Sequence, residues 1–116
     1  MFKRDERLFL QDIADSVEAI LEFTKGLNAE DFSESRLVYS ATIREFEIIG
    51  EATIHLSDKL LSRYNTIAWR DFKDFRNILI HEYFGVDYQI VWNTIVNDLP
   101  PLQKVIALMI EEYKND

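Results

Sequence analysis

The stretch RNILIHEYFGVD, residues 76–87, decides the fold because it contains a helix, the end of that helix and the start of the next one. Its apolar side chains are interleaved with an arginine, an asparagine, a histidine, a glutamate and a tyrosine within about three helical turns. Gly85 would end this helix, since glycine readily adopts the left-handed conformation found after helix C-termini. Asp87 has the short polar side chain that caps a helix N-terminus. The stretch therefore predicts two consecutive helices, the first rich in polar groups.

Helical spacing continues over the rest of the chain. Apolar residues recur every three or four positions, and the 116 residues include only 3 Gly and 2 Pro. We expect helices over about residues 3–25, from 33 or 35 to about 56, one or two turns within 57–69, then over 67–84, from the Asp87 cap onward, and from Pro100 and Pro101 onward. The sequence therefore predicts an all-α fold, an up-and-down bundle of four or five helices in a single domain over residues 1–116.

The composition excludes several function classes. The chain has no cysteine, which excludes disulfides, thiolate metal sites and cysteine nucleophiles. No apolar run reaches the roughly 18 residues that span a bilayer, and residues 1–13 do not read as a secretion signal, so we expect a cytoplasmic protein without a membrane partner. The formal net charge is −8, although residues 59–81 contain five lysines or arginines against two aspartates. The positive charge lies with the motif helix, and the acidic remainder argues against DNA as a ligand.

A helical wheel of residues 69–84 separates three faces. The polar stripe consists of Arg70, Asp74, Asn77 and His81. The apolar arc, expected in the core, consists of Phe72, Phe75, Ile78 and Leu79. The third sector mixes aromatic, aliphatic and cationic side chains, namely Trp69, Lys73, Arg76, Ile80, Tyr83 and Phe84. Because aromatic residues and arginine are enriched at interfaces, the wheel predicts that a second copy of the chain packs on this sector.

His81 and Arg76 have side chains suited to phosphodiester chemistry. Histidine can act as acid or base near neutral pH, and the arginine fork matches phosphate oxygens. Cleaving RNA without a metal requires a base, an acid and a cation, but one chain offers only one suitable histidine. Two motif helices that meet across a two-fold axis would place two His81 and two Arg76 around one cleft. A homodimer would therefore complete such a site.

The order Arg76-x4-His81-x-Tyr83 resembles the signature of the HepT toxins, which belong to the HEPN superfamily of helical ribonucleases. Three longer blocks are similar to the HepT-like pattern and follow in the same order. They are EIIGEA at 47–52, WRDFKDFRNILIHEYFGVD at 69–87 and IVWNTIVNDLPPL at 90–102. Together these blocks comprise 38 of the 116 residues and lie between residues 47 and 102, which makes the resemblance far more specific than an Arg-x4-His pair alone.

The resemblance implies a homodimeric helical bundle with a composite cleft, and a metal-independent endoribonuclease toxin of a type VII toxin–antitoxin system. Arg76 and His81 would be the catalytic pair, and Asn77 would shape the site together with Lys73. Tyr83 would receive AMP from a partner nucleotidyltransferase antitoxin of the MntA type, and this AMPylation would silence the toxin. RNA is the implied substrate, and we expect neither a metal nor a cofactor.

Other interpretations stay open at this point. His81 could be a structural histidine bonded to a backbone carbonyl, and Arg76 could pair with a nearby carboxylate such as Asp74. Tyr83 could serve only to pack an interface. A function of a different class is a helical dimer without catalysis that binds a nucleotidyltransferase partner or a nucleotide in the same cleft. RNA cleavage by the purified protein would distinguish these two functions.

The second predicted helix contains a glycine and several charged residues. Gly50 inside a helix costs about 1 kcal/mol relative to alanine, so we expect a neighbouring backbone to approach closely there. His55 follows Glu51 by one turn, but the Glu-x-x-His spacing of helical metal sites is missing, so we expect a surface histidine rather than a metal ligand. Glu47 and Glu51 should be solvated, with Arg44 within reach of either.

Overall fold

The computed structural model describes residues 5–81 and 85–114, and in these ranges the protein is built from α-helices without strands. Seven helices follow one another there, namely α1 (Glu6–Thr24), α2 (Ala29–Glu34), α3 (Arg36–Ile54), α4 (Asp58–Ser62), α5 (Trp69–His81), α6 (Tyr88–Asn97) and α7 (Leu99–Lys114). The predicted all-α bundle is confirmed, with α2 and α4 as short additions to five longer helices. None of the helices in the described ranges is long and apolar enough to cross a membrane.

Short polar side chains determine where most helices begin. Helices α1, α3, α4 and α6 each begin after a residue whose side chain accepts a hydrogen bond from a first-turn amide. These residues are Asp5, Ser35, Ser57 and Asp87, respectively. The predicted cap at Asp87 is therefore confirmed, as is the helix start at Ser35. The sequence analysis missed α2, which begins at a capping box formed by Asn28 and Asp31. Capping side chains thus set the N-termini of five of the seven helices in the described ranges, including α6, which follows the motif helix.

The core lies between α1, α3, α5 and α7. Helix α3 packs against both α1 and α5, while α7 packs against α1 and α6. The largest fully buried side chains include Leu10, Ile13, Phe46, Ile49, Leu79, Leu102 and Ile106. Pro100 and Pro101 occupy the first turn of α7, as predicted. Proline is tolerated there because the backbone N–H that it lacks would have no partner within the helix. The motif helix α5 is therefore anchored mainly by its contact with α3.

Gly50 marks a close approach between α3 and α5. A Cβ atom at Gly50 would lie 2.2 Å from Cβ of Arg76 and 3.0 Å from the carbonyl oxygen of Phe72. Such distances are shorter than van der Waals contact, so no larger residue fits without moving α5. The close backbone approach predicted at Gly50 is confirmed, and the approaching helix is the one that carries the motif.

The predicted faces of α5 need one correction. Ile78, expected in the core, is 49% exposed, whereas Trp69, expected at an interface, is only 7% exposed. Trp69 begins the helix, and its Nε1 donates a hydrogen bond to the carbonyl oxygen of Tyr64 over 3.0 Å, which turns the ring into the preceding loop. The buried side of α5 therefore runs along Trp69, Phe72 and Leu79, and the far edge of the apolar arc is left in solvent.

Candidate functional site

The guanidinium of Arg76 is held between two helices. Arg76 belongs to α5, and its Nη2 donates a hydrogen bond to Oε2 of Glu51 on α3 over 2.8 Å. Its Nη1 donates to Oδ1 of the following residue, Asn77, over 2.9 Å. The Arg76 side chain is 28% exposed. The cation is thus fixed at two points while part of it stays in contact with solvent.

The packing beneath Arg76 explains this placement. Because Gly50 has no side chain, the Cβ and Cγ of Arg76 lie directly against α3, and the next residue, Glu51, receives the guanidinium. Nε of Arg76 is buried and has no hydrogen-bond partner among the described residues. Of the five N–H donors of an arginine, two are bonded and the Nε–H is buried, so two Nη hydrogens have no acceptor in the described part of the chain and can bind a further anion.

The alternative pairing of Arg76 with Asp74 is wrong. Asp74 instead lies near Arg70, with 3.9 Å between its Oδ2 and the Nε of that arginine. The partner of Arg76 is Glu51, which is 25 residues away in the sequence and which the sequence analysis expected to be solvated or to pair with an arginine of its own helix. Glu51 is therefore the site residue that the sequence analysis missed.

Glu51 also contacts a second basic residue. Its Oε1 lies 3.3 Å from Nε2 of His55, whose ring stacks on Phe9 of α1 with 4.6 Å between the ring centroids. His55 is exposed, as predicted, and Arg44 pairs with Glu47 over 3.5 Å, which is one of the two partners predicted for it. Within residues 5–81 and 85–114, no three side chains of the metal-binding types come together.

His81 is the last residue of α5, and it is exposed. In the described part of the chain its ring makes no hydrogen bond, so the backbone partner expected of a structural histidine is not found there. His81 follows Arg76 by five residues, which at 100° per residue separates the two side chains by about 140° around the helix. A single chain therefore does not bring these two side chains onto one face of α5.

The residues that accompany Arg76 on its face are Lys73 and Ile80 of the mixed sector and Asn77 of the polar stripe. Lys73 is half-buried, Asn77 is exposed and bonded to Arg76, and Ile80 is exposed. On the helical wheel these four residues fall within about 100° of one another. Tyr83, the predicted site of AMPylation, lies outside the described residues. The described part of this face combines two cations with an amide and an uncovered apolar side chain.

A second surface feature lies on the other side of α5. A groove of about 410 Å³ is lined by Phe75 and Ile78 of α5 and by three carboxylates, Asp71, Asp74 and Asp98. Burial raises the pKa of Asp98, and the negative charge of Asp71 raises it further. The groove is therefore apolar and acidic, which makes it a poor surface for a phosphate backbone.

Several known proteins are similar to this chain over most of its length. A protein of Thermococcus cleftensis named "Probable ribonuclease HepT" is 40% identical over 101 residues, which cover 87% of this chain and 92% of that protein. "Putative RNase MJ1380" of Methanocaldococcus jannaschii is 36% identical over 109 residues, which cover 94% of this chain and all of that protein. The chain matches only 50% of another relative, "Gamma-glutamylcyclotransferase and putative RNase MJ0434" of the same organism, at 39% identity. No solved structure matches the chain.

The family comparison covers the motif helix and its neighbours. The family model described as "Ribonuclease HepT-like" matches residues 13–109, a segment that includes Glu51, Arg76 and His81. The match extends from α1 into α7. Together with the identities above 30% over nearly the whole chain, it shows that the protein belongs to the HepT-like ribonuclease family.

Proposed function

We propose that the protein is a metal-independent endoribonuclease in which Arg76 and His81 carry out the reaction. The observation that supports this most directly is the fixed, partly exposed guanidinium of Arg76 in a chain that belongs to the HepT-like ribonuclease family. The two Nη hydrogens of Arg76 that have no acceptor among the described residues suit the oxygens of a phosphate group. The exposed imidazole of His81 on the same helix supplies the proton-transfer group that such a site requires.

The reaction proceeds by attack of a ribose 2′-hydroxyl on the neighbouring phosphorus. An imidazole of His81 takes the 2′-hydroxyl proton, the bond between phosphorus and the 5′-oxygen breaks, and an acid returns a proton to the leaving 5′-oxygen. Arg76 stabilises the negative charge that builds up on the phosphoryl oxygens. The products are a 2′,3′-cyclic phosphate and a 5′-hydroxyl end. Neither a metal nor a cofactor takes part in this scheme.

A homodimer gives the reaction its second proton-transfer group. Base and acid roles need two imidazoles, and the side chains of Arg76 and His81 leave one helix about 140° apart. In a two-fold dimer, His81 of one copy can approach Arg76 of the other across a shared cleft. The exposed Ile80, which lies between these two residues on α5, offers apolar area for the contact.

The proposed biological role is that of a type VII toxin silenced by a nucleotidyltransferase antitoxin of the MntA type. The antitoxin would attach AMP to the hydroxyl of Tyr83, seven residues after Arg76 in the sequence. Bulk and a competing phosphate near the cation would then exclude RNA. Such a toxin would act in the cytoplasm, where its RNA substrate lies. Intact mass after co-expression with the antitoxin tests this role, because an adenylyl adduct should form on the wild type and be absent from Tyr83→Phe.

Cleavage of RNA by the purified protein in EDTA tests the proposed activity. We expect Arg76→Ala and His81→Ala each to lower kcat by about 100-fold to 1000-fold, since each removes a group that acts in the transition state. Arg70→Ala is the matched control, because Arg70 is an exposed arginine on the same helix with only a 3.9 Å contact to Asp74. Activity that survives both substitutions would refute the assignment of the two residues.

Protein without RNase activity that still forms a dimer would favour the other class of function. In that case the same surface would bind a nucleotidyltransferase or a nucleotide without catalysis. The mixed apolar and cationic face of α5 and the net charge of −8 are the features that favour this second function. Titration of AMP or ATP into the purified protein, followed by calorimetry, would then detect the nucleotide complex.

A further inference from the structure

Glu51 is the one anionic side chain that contacts the guanidinium of Arg76 among the described residues. Its carboxylate bridges two helices, since it belongs to α3 and accepts the Nη2–H of Arg76 on α5 over 2.8 Å. Its second oxygen lies 3.3 Å from the imidazole of His55. The two oxygens of Glu51 are thus both engaged, which restricts the rotation of the carboxylate and fixes its direction toward Arg76.

An arginine needs such a fixed partner if it is to act on a transition state. The side chain has many rotamers, and charge stabilisation is effective only when the donors are aimed before the reaction begins. Gly50 lets the stem of Arg76 lie against α3, but within residues 5–81 and 85–114 the Nε of Arg76 has no partner that would set the plane of the guanidinium. The bonds to Glu51 and to Asn77 therefore determine that plane and direct the remaining Nη hydrogens.

We propose that Glu51 is a positioning residue that holds the guanidinium of Arg76 in the orientation required for phosphoryl charge stabilisation. This role rests on the proposed ribonuclease function. Glu51 does not exchange a proton with RNA and does not bind it. Its negative charge in fact opposes the binding of a phosphate, so the contribution of Glu51 to orientation must exceed this electrostatic cost in the transition state.

The charge of Glu51 opposes RNA binding, whereas its hydrogen bond orients Arg76, so the two effects should appear in different kinetic constants. Removing the carboxylate of Glu51 makes the charge around Arg76 more positive, which favours phosphate binding, so KM for RNA should stay unchanged or fall. The same change frees the guanidinium, so kcat should fall by about tenfold or more, since small errors in the placement of a catalytic group have large effects on rate. Loss of folded protein would also lower the apparent kcat at constant KM, so kcat of each variant is expressed per folded protein, with the folded fraction taken from thermal unfolding.

The experiment compares Glu51→Ala and Glu51→Gln with the wild type and with Glu47→Gln. Glu47 is the matched control, because it is a glutamate one turn earlier on α3 that pairs with Arg44 over 3.5 Å rather than with Arg76. Gln keeps a neutral acceptor for Arg76 and should retain an intermediate kcat, since hydrogen bonds to charged partners are about twice as strong as neutral ones. Ala should show the full loss, and Glu47→Gln should match the wild type.

A spectroscopic measurement reports on the orientation without depending on activity. In the wild type, the Nη protons of Arg76 should give separate NMR signals at low temperature, because two hydrogen bonds slow their rotation. In Glu51→Ala these signals should merge, while thermal unfolding confirms that the variant is folded. Arg76→Lys assigns the signals by removing them. If Glu51→Ala does not fold, the nearly isosteric Glu51→Gln carries both measurements.

The possible failures can be told apart. Wild-type protein that does not cleave RNA, or Arg76→Ala that cleaves as well as the wild type, would overturn the proposed function and this role of Glu51 with it. Wild-type activity that Arg76→Ala abolishes but that folded Glu51→Ala retains in full would overturn the positioning role alone. A raised KM with unchanged kcat in Glu51→Ala would do the same, because it would make Glu51 part of RNA binding.

Discussion

The two sides of α5 differ in both packing and charge. On the side that faces α3, Leu79 is fully buried and the stem of Arg76 lies against Gly50. On the other side, Ile78 is 49% exposed, and the groove beside it is lined by carboxylates such as Asp98. The closely packed side of α5 is therefore the one that holds the cation of Arg76. The opposite side leaves apolar and acidic groups in water. A helix can thus pack closely against one neighbour and still present a cationic surface on one side and an acidic surface on the other.

The largest effect that tests this comparison comes from two neighbouring residues. Leu79→Ala should lower the free energy of unfolding by about 2–5 kcal/mol, because it leaves a cavity at a fully buried position. Ile78→Ala should cost about 1 kcal/mol or less, because half of that side chain is already in water. Urea denaturation of both variants measures the difference. Equal losses would mean that the side of α5 that carries Ile78 is buried in solution. An unfolding midpoint that rises with protein concentration would then show that a second copy of the chain buries it.

A smaller effect is expected where α3 meets α5. Gly50→Ala should lower the free energy of unfolding by about 1–3 kcal/mol, although alanine is the better helix former by about 1 kcal/mol. The reason is that the added Cβ would lie 2.2 Å from Cβ of Arg76. Denaturant unfolding of Gly50→Ala, compared with the wild type, measures the loss.

Two double variants locate the source of this loss. Gly50→Ala combined with Arg76→Ala removes the 2.7 Å contact with Cγ but keeps the 2.2 Å contact with Cβ, so only a small recovery is expected. Gly50→Ala combined with Arg76→Gly removes that contact and should recover part of the stability relative to Arg76→Gly alone. Full recovery in the first double variant would show that the contact with Cγ of Arg76, and not the contact with its Cβ, causes the loss.

The sequence predicted those features of the fold that depend on local chemistry. The cap at Asp87 follows from the preference of aspartate for helix N-termini, and the helical spacing of apolar residues predicted the five longer helices. The close approach at Gly50 was also predictable, because a glycine inside a helix is costly unless a neighbour needs the space. Each of these inferences uses residues within about one or two turns of each other.

Features that depend on contacts distant in sequence were not predictable in the same way. A helical wheel gives the width of an apolar arc but not which edge faces the core, so it placed Ile78 inside and Trp69 outside. The contact between Glu51 and Arg76 joins residues 25 positions apart, and the helical periodicity of the sequence does not predict it. One signal was present, since Glu51 directly follows the glycine at which a neighbouring helix was expected.

The smallest predicted effect concerns the acidic groove. Burial raises the pKa of Asp98 above its ordinary value of 3.8, and the charge of Asp71 adds to this. The folded state therefore binds the Asp98 proton more tightly than the unfolded chain does, so ionisation of Asp98 destabilises the fold. This penalty is present above the raised pKa and is lost as the pH falls below the ordinary pKa. Because the carboxyl is largely solvated, the effect should stay below about 1 kcal/mol.

Asp98→Asn should consequently unfold at a slightly higher urea concentration than the wild type at pH 7, and the two midpoints should converge near pH 3. Asparagine keeps the size of the side chain, so the comparison isolates the charge. NMR titration of the Asp98 carboxyl in Asp71→Asn separates the two causes: its pKa should fall, yet stay above the ordinary value, because burial is the larger cause. An Asp98 pKa that does not respond to Asp71→Asn would show that the two carboxylates do not share the groove, and the contrast in charge between the two sides of α5 would lose its basis at that end of the helix.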